Sequence, residues 1–208
     1  MAKNTTRFVC QACGAVSAKW AGRCEVCAEW NTIAEEPAES RPGPAARPGR
    51  KLALETLAGS ADPPPRLLTG IGELDRVLGG GLVAASAVLV GGDPGIGKST
   101  LLLQAAASLA RAGKKVLYVS GEEAAEQIRM RARRLGLADA PLSLAASINA
   151  RDIAAVLESE RDLSMAVIDS IQTMWLDNIE SAPGTVTQVR ASAFELIRIA
   201  KQRGFSLV

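Results

Sequence analysis

Short apolar runs and longer amphipathic runs alternate through the second half of the chain. The short runs have the length of buried strands, and the longer ones place apolar residues at helical spacing. The predicted strands are 87–91, 115–120, 142–145, 165–169 and 205–208. The predicted helices are 99–112, 123–135, 150–160 and 188–202. Strands that alternate with helices are typical of βαβ units, so the pattern predicts an α/β domain with a mostly parallel sheet over residues 66–208.

Proline interrupts this pattern upstream of residue 66. Seven of the ten prolines lie between Pro37 and Pro65, with Ala, Glu, Arg and Gly between them. This composition cannot supply a packed core, so residues 34–65 are predicted to form an extended, mobile linker. The linker separates the α/β domain from a small domain over residues 1–33.

All four cysteines lie in that small domain, as two C-x-x-C pairs separated by ten residues: Cys10, Cys13, Cys24 and Cys27. Four thiolates at this spacing suit a tetrahedral Zn²⁺ ion, and a domain of this size needs such an ion to fold. The alternatives are two disulfides, which fit poorly with a cytoplasmic chain, or a redox motif, which would need a βαβ setting. Because four protein ligands leave no open position, the zinc is expected to be structural.

Composition excludes several classes of site. The chain has no histidine, which removes histidine metal ligands and histidine general bases. The formal net charge is only +2, so bulk charge gives no argument for nucleic-acid binding and any such site must be local. The amino terminus lacks a signal-peptide core and no apolar run has the length of a membrane span, so a cytoplasmic protein is expected.

Residues 92–99 fit the phosphate-binding loop G-x-x-x-x-G-K-[ST], between a predicted strand and a predicted helix. Backbone N–H groups of such a loop and the following helix N-terminus bind phosphate oxygens. Lys98 is expected to reach the β- and γ-phosphates of ATP, and the Ser99 hydroxyl to ligate Mg²⁺. The predicted nucleotide-binding residues of the loop are Gly92, Asp93, Pro94, Gly95, Ile96, Gly97, Lys98, Ser99 and Thr100.

Acidic residues follow two of the predicted strands. Asp169 ends strand 165–169 and is expected to hold the Mg²⁺ from opposite the loop, the alternative being an aspartate that merely caps the strand. Many P-loop ATPases place a glutamate directly after this aspartate, but here Ser170 follows. The catalytic base is therefore expected to be Glu122, which lies just beyond strand 115–120. The alternative is that Glu122 and Glu123 occupy the first turn of the next helix.

Signals for nucleic-acid contact are weaker. Gln188 and Arg190 follow a long connection and are candidates to contact phosphate, or else they begin a solvated helix. Arginines crowd helix 123–135 and more often form a solvated face than a DNA site; they are Arg129, Arg131, Arg133 and Arg134. Near the cysteines, Trp20 is a candidate for binding nucleic acid or protein, although Trp20 and Trp30 are expected to pack around the metal.

Taken together, these motifs resemble the bacterial RadA (Sms) family of RecA-related DNA-repair ATPases. The resemblance rests on residues 10–31, 69–81, 91–100, 120–123 and 168–173. It implies a RecA-like core, ATP with Mg²⁺, and a catalytic glutamate after the strand that follows the P-loop helix, in agreement with Glu122. It also implies single-stranded DNA binding, ATP-driven branch migration of recombination intermediates, RecA and a replicative helicase as partners, and assembly into a homo-oligomeric ring.

The chain departs from the family pattern in two places. Ala84-Ala85-Ser86 stands where the family has Pro-Gly-Ser. The family also continues beyond the position of Val208 with more of the RecA core and a Lon-protease-like domain, so the chain is expected to be the amino-terminal part of a longer protein. Two alternatives to the motor stay open: an ATP-gated binding module without turnover, and a KaiC-like kinase.

Overall fold

A computed structural model describes residues 6–37 and 65–208. Contacts divide the chain into two compact units, residues 1–63 and residues 64–208, and each is described by itself. Within residues 6–37, the described part of the first unit, three antiparallel strands have the order β2-β1-β3: β1 (Thr6–Cys10), β2 (Val16–Ser17) and β3 (Ile33–Pro37). Because β3 pairs with β1 along its whole length, this unit extends past the predicted boundary at residue 33. The rest of the predicted linker, residues 38–64, lies outside the described residues.

The two tryptophans of this first unit are exposed, with Trp20 at 60% and Trp30 at 67% of their full accessible surface. The prediction that they pack around the metal is therefore wrong. The unit is so small that the cysteines themselves occupy its centre, where Cys10 and Cys24 are buried. The Arg23 guanidinium instead lies 5.7 Å from the centroid of the Trp30 ring.

The second unit is an α/β domain with helices on both faces of a parallel sheet. It begins with a hairpin of β4 (Arg66–Leu67) and β5 (Leu82–Val83), which encloses α1 (Gly72–Val77). The sheet has the order β7-β6-β8-β9 and all its pairs are parallel. Its strands are β6 (Lys115–Ser120), β7 (Ser143–Ala146), β8 (Leu163–Asp169) and β9 (Ser206–Leu207). The helices are α2 (Lys98–Arg111), α3 (Ala125–Arg134), α4 (Ala150–Ser159) and α5 (Val186–Arg203), with a 3₁₀ turn at Ile171–Thr173.

Alternating side chains of β6 and β8 divide the core between the two faces of the sheet. On one face Tyr118 and Val167 pack with α2 and with Ile128 of α3. On the other face Val119 and Ile168 pack with α4 and α5. This period of two is the geometry of a strand buried on both sides, and it confirms the predicted α/β class with a mostly parallel sheet. None of the described helices is long and apolar enough to cross a membrane.

Two predicted elements differ from the structure. Of the predicted strand 87–91, only Ala87 forms a bridge, with Leu207, because β9 is two residues long and offers few partners. The helix predicted from residue 123 begins at Ala125. The Ser120 hydroxyl accepts the N–H groups of Glu122 (3.3 Å) and Glu123 (2.9 Å), which holds both glutamates in the loop before α3. The alternative that they form the first turn of that helix is wrong.

Candidate functional site

The loop from residue 92 to residue 97 leads directly into α2. Gly95 (φ +80°) and Gly97 (φ +106°) adopt backbone conformations that favour glycine, and α2 begins at Lys98. Gly97 is the N-cap residue of α2 and has no side chain that could accept a hydrogen bond, so it leaves the first N–H groups of the helix without a side-chain cap. Lys98 Nζ donates to the carbonyl oxygens of Gly92 (2.7 Å) and Asp93 (2.9 Å). The lysine thus spans the loop that is predicted to hold phosphate.

Asp169 lies opposite the start of α2, with one donor on each carboxylate oxygen. The Ser99 hydroxyl donates to Oδ1 at 3.0 Å, and the Tyr118 hydroxyl donates to Oδ2 at 2.5 Å. An octahedral Mg²⁺ ion with bonds of about 2.1 Å places neighbouring oxygen ligands about 3.0 Å apart. The separation of Ser99 Oγ and Asp169 Oδ1 therefore fits the metal that the sequence predicts.

Glu122 lies beside this pair because β6 and β8 end at the same edge of the sheet. Ser170 Oγ donates to Glu122 Oε1 at 2.6 Å, and the Gly121 N–H donates to the Asp169 carbonyl oxygen at 2.9 Å. A Cβ atom at position 121 would lie 2.9 Å from Met174 Cε and would overlap Thr173 Oγ1. Glycine is needed at this junction, and it brings the predicted base next to the predicted metal ligand.

An open cavity of about 360 Å³ adjoins these groups. Residues 87–92 form one wall and Leu196 of α5 forms part of another, while Lys98, Asp169 and Ser170 lie at its polar end. Concave spaces with an apolar wall and a few convergent polar groups are typical of ligand sites. Lys98, predicted to bind phosphate, and Asp169, predicted to bind metal, therefore border one cavity, and Ser170 at its edge connects it to Glu122, which does not itself line it.

The four cysteines of the first unit form a second candidate site. Their Sγ atoms all lie within 4.8 Å of one another, with Cys10 and Cys27 3.6 Å apart and Cys13 and Cys24 3.7 Å apart. Zn–S bonds of about 2.3 Å in a tetrahedron place sulfurs about 3.8 Å apart, so the cluster fits zinc. A hydrogen bond with the Thr32 hydroxyl lowers the pKa of Cys10 to about 6, whereas burial and the neighbouring thiols raise the pKa of Cys27 and Cys13.

Sequence reasoning was wrong about Gln188. Its side chain is fully buried, accepts the N–H of Leu176 at 2.8 Å and donates to the carbonyl oxygens of Leu176, Ile179 and Ser181 at 2.9–3.1 Å. It therefore builds the loop before α5 and does not face solvent, whereas Arg190 is exposed.

The four arginines of α3 do not form a uniform solvated face. Arg131 pairs with Glu123 and its side chain is only 14% exposed, whereas Arg129 pairs with Glu126 at the surface. Arg133 and Arg134 are exposed.

Sequence reasoning missed Tyr118 and Ser170 as partners of the predicted acids. Tyr118 could have been found from the alternation of side chains along the two strands, which places Tyr118 and Asp169 on the same face of the sheet.

Family models match the described parts of both units of the chain. The ATPase family described as KaiC matches residues 67–207, and the rubredoxin metal binding domain matches residues 8–35. The whole chain is 55% identical to a DNA repair protein RadA of Brucella abortus, of which it covers 47%. It is 48% identical to that of Pseudomonas aeruginosa and 42% identical to that of Bacillus subtilis, and covers 46% of each. The chain thus spans about half the length of the curated relatives it matches.

Proposed function

Because this chain belongs to the KaiC-type ATPase family, we propose that it is a cytoplasmic DNA-dependent ATPase of recombinational repair. It binds single-stranded DNA and uses ATP hydrolysis to drive branch migration. The observation that carries this proposal is the pairing of Ser99 with Asp169 at the start of α2, with Glu122 held beside them. Binding alone requires the loop and the metal ligands, but a carboxylate positioned next to them favours hydrolysis.

Nucleotide binding begins with an exchange of partners at Lys98. Its ammonium group leaves the carbonyl oxygens of Gly92 and Asp93 and donates to the β- and γ-phosphates, while loop N–H groups bind the remaining oxygens. Ser99 and Asp169 would hold Mg²⁺, which when bound neutralises charge on the phosphate oxygens. Their present hydrogen bond keeps both oxygens at the separation that the ion requires.

Glu122 acts as the base that orients the attacking water. Because Ser170 donates to Oε1, Oε2 is left to accept a proton from water. The water oxygen forms a bond to the γ-phosphorus, the bond from that phosphorus to the β–γ bridging oxygen breaks, and the proton moves to Glu122. Ser170 thus takes a positioning role at the place where related sites carry the base itself.

DNA binding is supported by the names of the relatives and by local surface chemistry. Exposed Trp20 and Trp30 offer rings on which bases can stack, and the neighbouring Arg23 supplies positive charge. Arg190 is an exposed cation at the start of α5. Zinc held by the four cysteines would stabilise the first unit without taking part in hydrolysis. Assembly into a ring and contacts with RecA and a replicative helicase are proposed for the whole protein, which in the relatives is about twice as long.

The test measures ATP hydrolysis and nucleotide affinity, with and without single-stranded DNA, for the wild type and three variants. We expect Lys98→Ala to weaken nucleotide binding at least tenfold, since charge-assisted bonds to phosphate are lost. We expect Glu122→Gln to bind normally but hydrolyse roughly 100-fold or more slowly. Lys114→Ala, which removes an exposed lysine just beyond α2, is the matched control and should match the wild type.

Three results would contradict the motor. Binding without turnover in the wild type would support the ATP-gated module. Phosphate transfer to an acceptor other than water would support the kinase. Normal nucleotide affinity in Lys98→Ala would overturn the site itself.

A further inference from the structure

Tyr118 is a titratable side chain that the proposed hydrolysis does not use. It is the only tyrosine in the chain, it lies in the middle of the central strand β6, and it is fully buried. A buried phenol needs a hydrogen-bond partner. Here the short hydrogen bond is to a carboxylate oxygen of Asp169, 51 residues away in sequence, while the Ser99 carbonyl oxygen lies farther away, at 3.5 Å.

The sheet aims this hydroxyl at Asp169. Tyr118 is paired with Val167 across the parallel strands, and paired residues share a face. Asp169 follows Val167 by two positions and therefore lies on the same face, toward α2. The tyrosine side chain reaches past Val167 to the end of β8, where α2 begins with Ser99 one residue into the helix.

The two oxygens of Asp169 therefore have separate tasks. Oδ2 accepts from Tyr118 and Oδ1 accepts from Ser99, at 2.5 and 3.0 Å. Burial raises the pKa of Tyr118 well above its usual range, and the hydrogen bond to Asp169 adds to the rise, so the phenol stays protonated and is the donor. With Oδ2 occupied, rotation of the carboxylate away from Ser99 would break a charge-assisted hydrogen bond.

The charge of Arg131 on α3 acts on the same phenol. Arg131 forms an ion pair with Glu123, the residue after the proposed base, and its positive charge lowers the pKa of Tyr118, an effect that is smaller than the rise caused by burial and by Asp169.

We propose that Tyr118 is a positioning residue that fixes the Asp169 carboxylate so that Oδ1 faces Ser99 and is ready to hold Mg²⁺. This role rests on the proposed function, because it concerns the metal of the same site. It assigns no contact between Tyr118 and the nucleotide. The phenol acts only through Asp169.

The first test is Tyr118→Phe, which removes the hydroxyl and keeps the ring. Affinity for a fluorescent ATP analogue is titrated against Mg²⁺ in the full chain, and again in EDTA. We expect the half-saturating Mg²⁺ concentration to rise about tenfold, since one hydrogen bond to a charged group is lost. Affinity in EDTA should stay within twofold of the wild type. Ser192→Ala removes a hydroxyl that is also buried but has no partner among the described residues, and it should change neither value.

A Mg²⁺ dependence in Tyr118→Phe within twofold of the wild type, or an equal rise in Ser192→Ala, would overturn the role of Tyr118. The proposed function would survive either result, because the wild type would still show Mg²⁺-dependent nucleotide binding. If nucleotide binding by the wild type does not depend on Mg²⁺, the proposed metal site is contradicted, and the role of Tyr118 with it.

A second test needs no change at Tyr118. Because the chain has one tyrosine, ¹³C-tyrosine labelling gives a single ring-Cζ NMR signal. We expect Asp169→Asn to shift this signal, and Mg²⁺ with ADP to shift it in the wild type where ADP in EDTA does not. A signal that is unmoved by Asp169→Asn would show that the phenol does not sense the carboxylate and would overturn the proposal.

Discussion

Replacing Ala85 with glycine should make the protein more stable. Ala85 lies in the turn between β5 and the phosphate-binding segment, where the Ser86 N–H donates to the Val83 carbonyl oxygen at 3.2 Å. Its φ is +59°, a left-handed conformation in which the Cβ atom is crowded by its own backbone. Turns with a positive φ at their third residue usually place glycine there. The RadA family pattern has glycine at this position, and this chain has alanine.

The expected gain is the difference between two effects. Relief of the left-handed alanine is worth about 1–2 kcal/mol. Glycine increases the conformational freedom of the unfolded chain, which costs about 0.4–1 kcal/mol. The net free energy of unfolding should therefore rise by about 0.5–1 kcal/mol, or by about 1–4 °C in Tm for a protein of this size.

The assay is thermal unfolding followed by circular dichroism at a fixed zinc concentration, with urea unfolding as a second measure. Ala84→Gly is the matched control, because Ala84 precedes Ala85 in the same turn and its φ is not positive. That variant gains only the unfolded-state freedom and should lose about 0.5–1 kcal/mol. If Ala85→Gly lowers Tm as much as Ala84→Gly does, the left-handed geometry assigned to this turn is wrong.

Two further predictions concern zinc and the buried glutamine. Metal analysis should find one zinc per chain, and the Cys13→Ser variant should lose both the zinc and the folded first unit. A zinc-free protein with four freely titrating thiols would contradict the zinc site. Gln188→Leu should lower the free energy of unfolding by about 2–4 kcal/mol, because Leu176 loses two buried hydrogen bonds and Ser181 loses a partly buried one. Arg190→Leu, on the exposed side of α5, should stay within about 0.5 kcal/mol of the wild type, and equal losses in both variants would contradict the role of Gln188.

Sequence patterns predicted well those elements whose limits depend on their own residues. Strand 115–120 agrees with β6 at both ends, because five of its six residues are buried and the run is continuous. Strand 87–91 has a similar apolar pattern but forms one bridge, since pairing depends on the length of β9 and not on its own residues. The predicted start of α3 was also wrong because of contacts outside the helix: the Ser120 hydroxyl accepts the N–H groups of Glu122 and Glu123 and holds them in the loop before α3.

The difference between local motifs and partners that are distant in sequence also explains which residues of the candidate site could be predicted. The phosphate-binding loop, the four cysteines and Asp169 are recognisable because each lies in a short motif with a known chemistry. Tyr118 and Ser170 are not, because their partners lie 51 and 48 residues away. Gln188 was misread because a polar residue at a helix start usually faces water, and only the folded loop before α5 supplies its four backbone partners, one N–H group and three carbonyl oxygens.

The two acids meet because of the sheet itself. β6 and β8 are parallel neighbours paired up to Ser120 and Asp169, so whatever follows Ser120 must lie beside Asp169. Gly121 allows the chain after β8 to approach without collision, and Ser170 then reaches back to Glu122. A glycine–glutamate pair after one strand and an aspartate–serine pair after its neighbour are weak signals separately. In the folded sheet they become a metal ligand and a base whose positions depend on each other, so a change at either strand end is expected to disturb both.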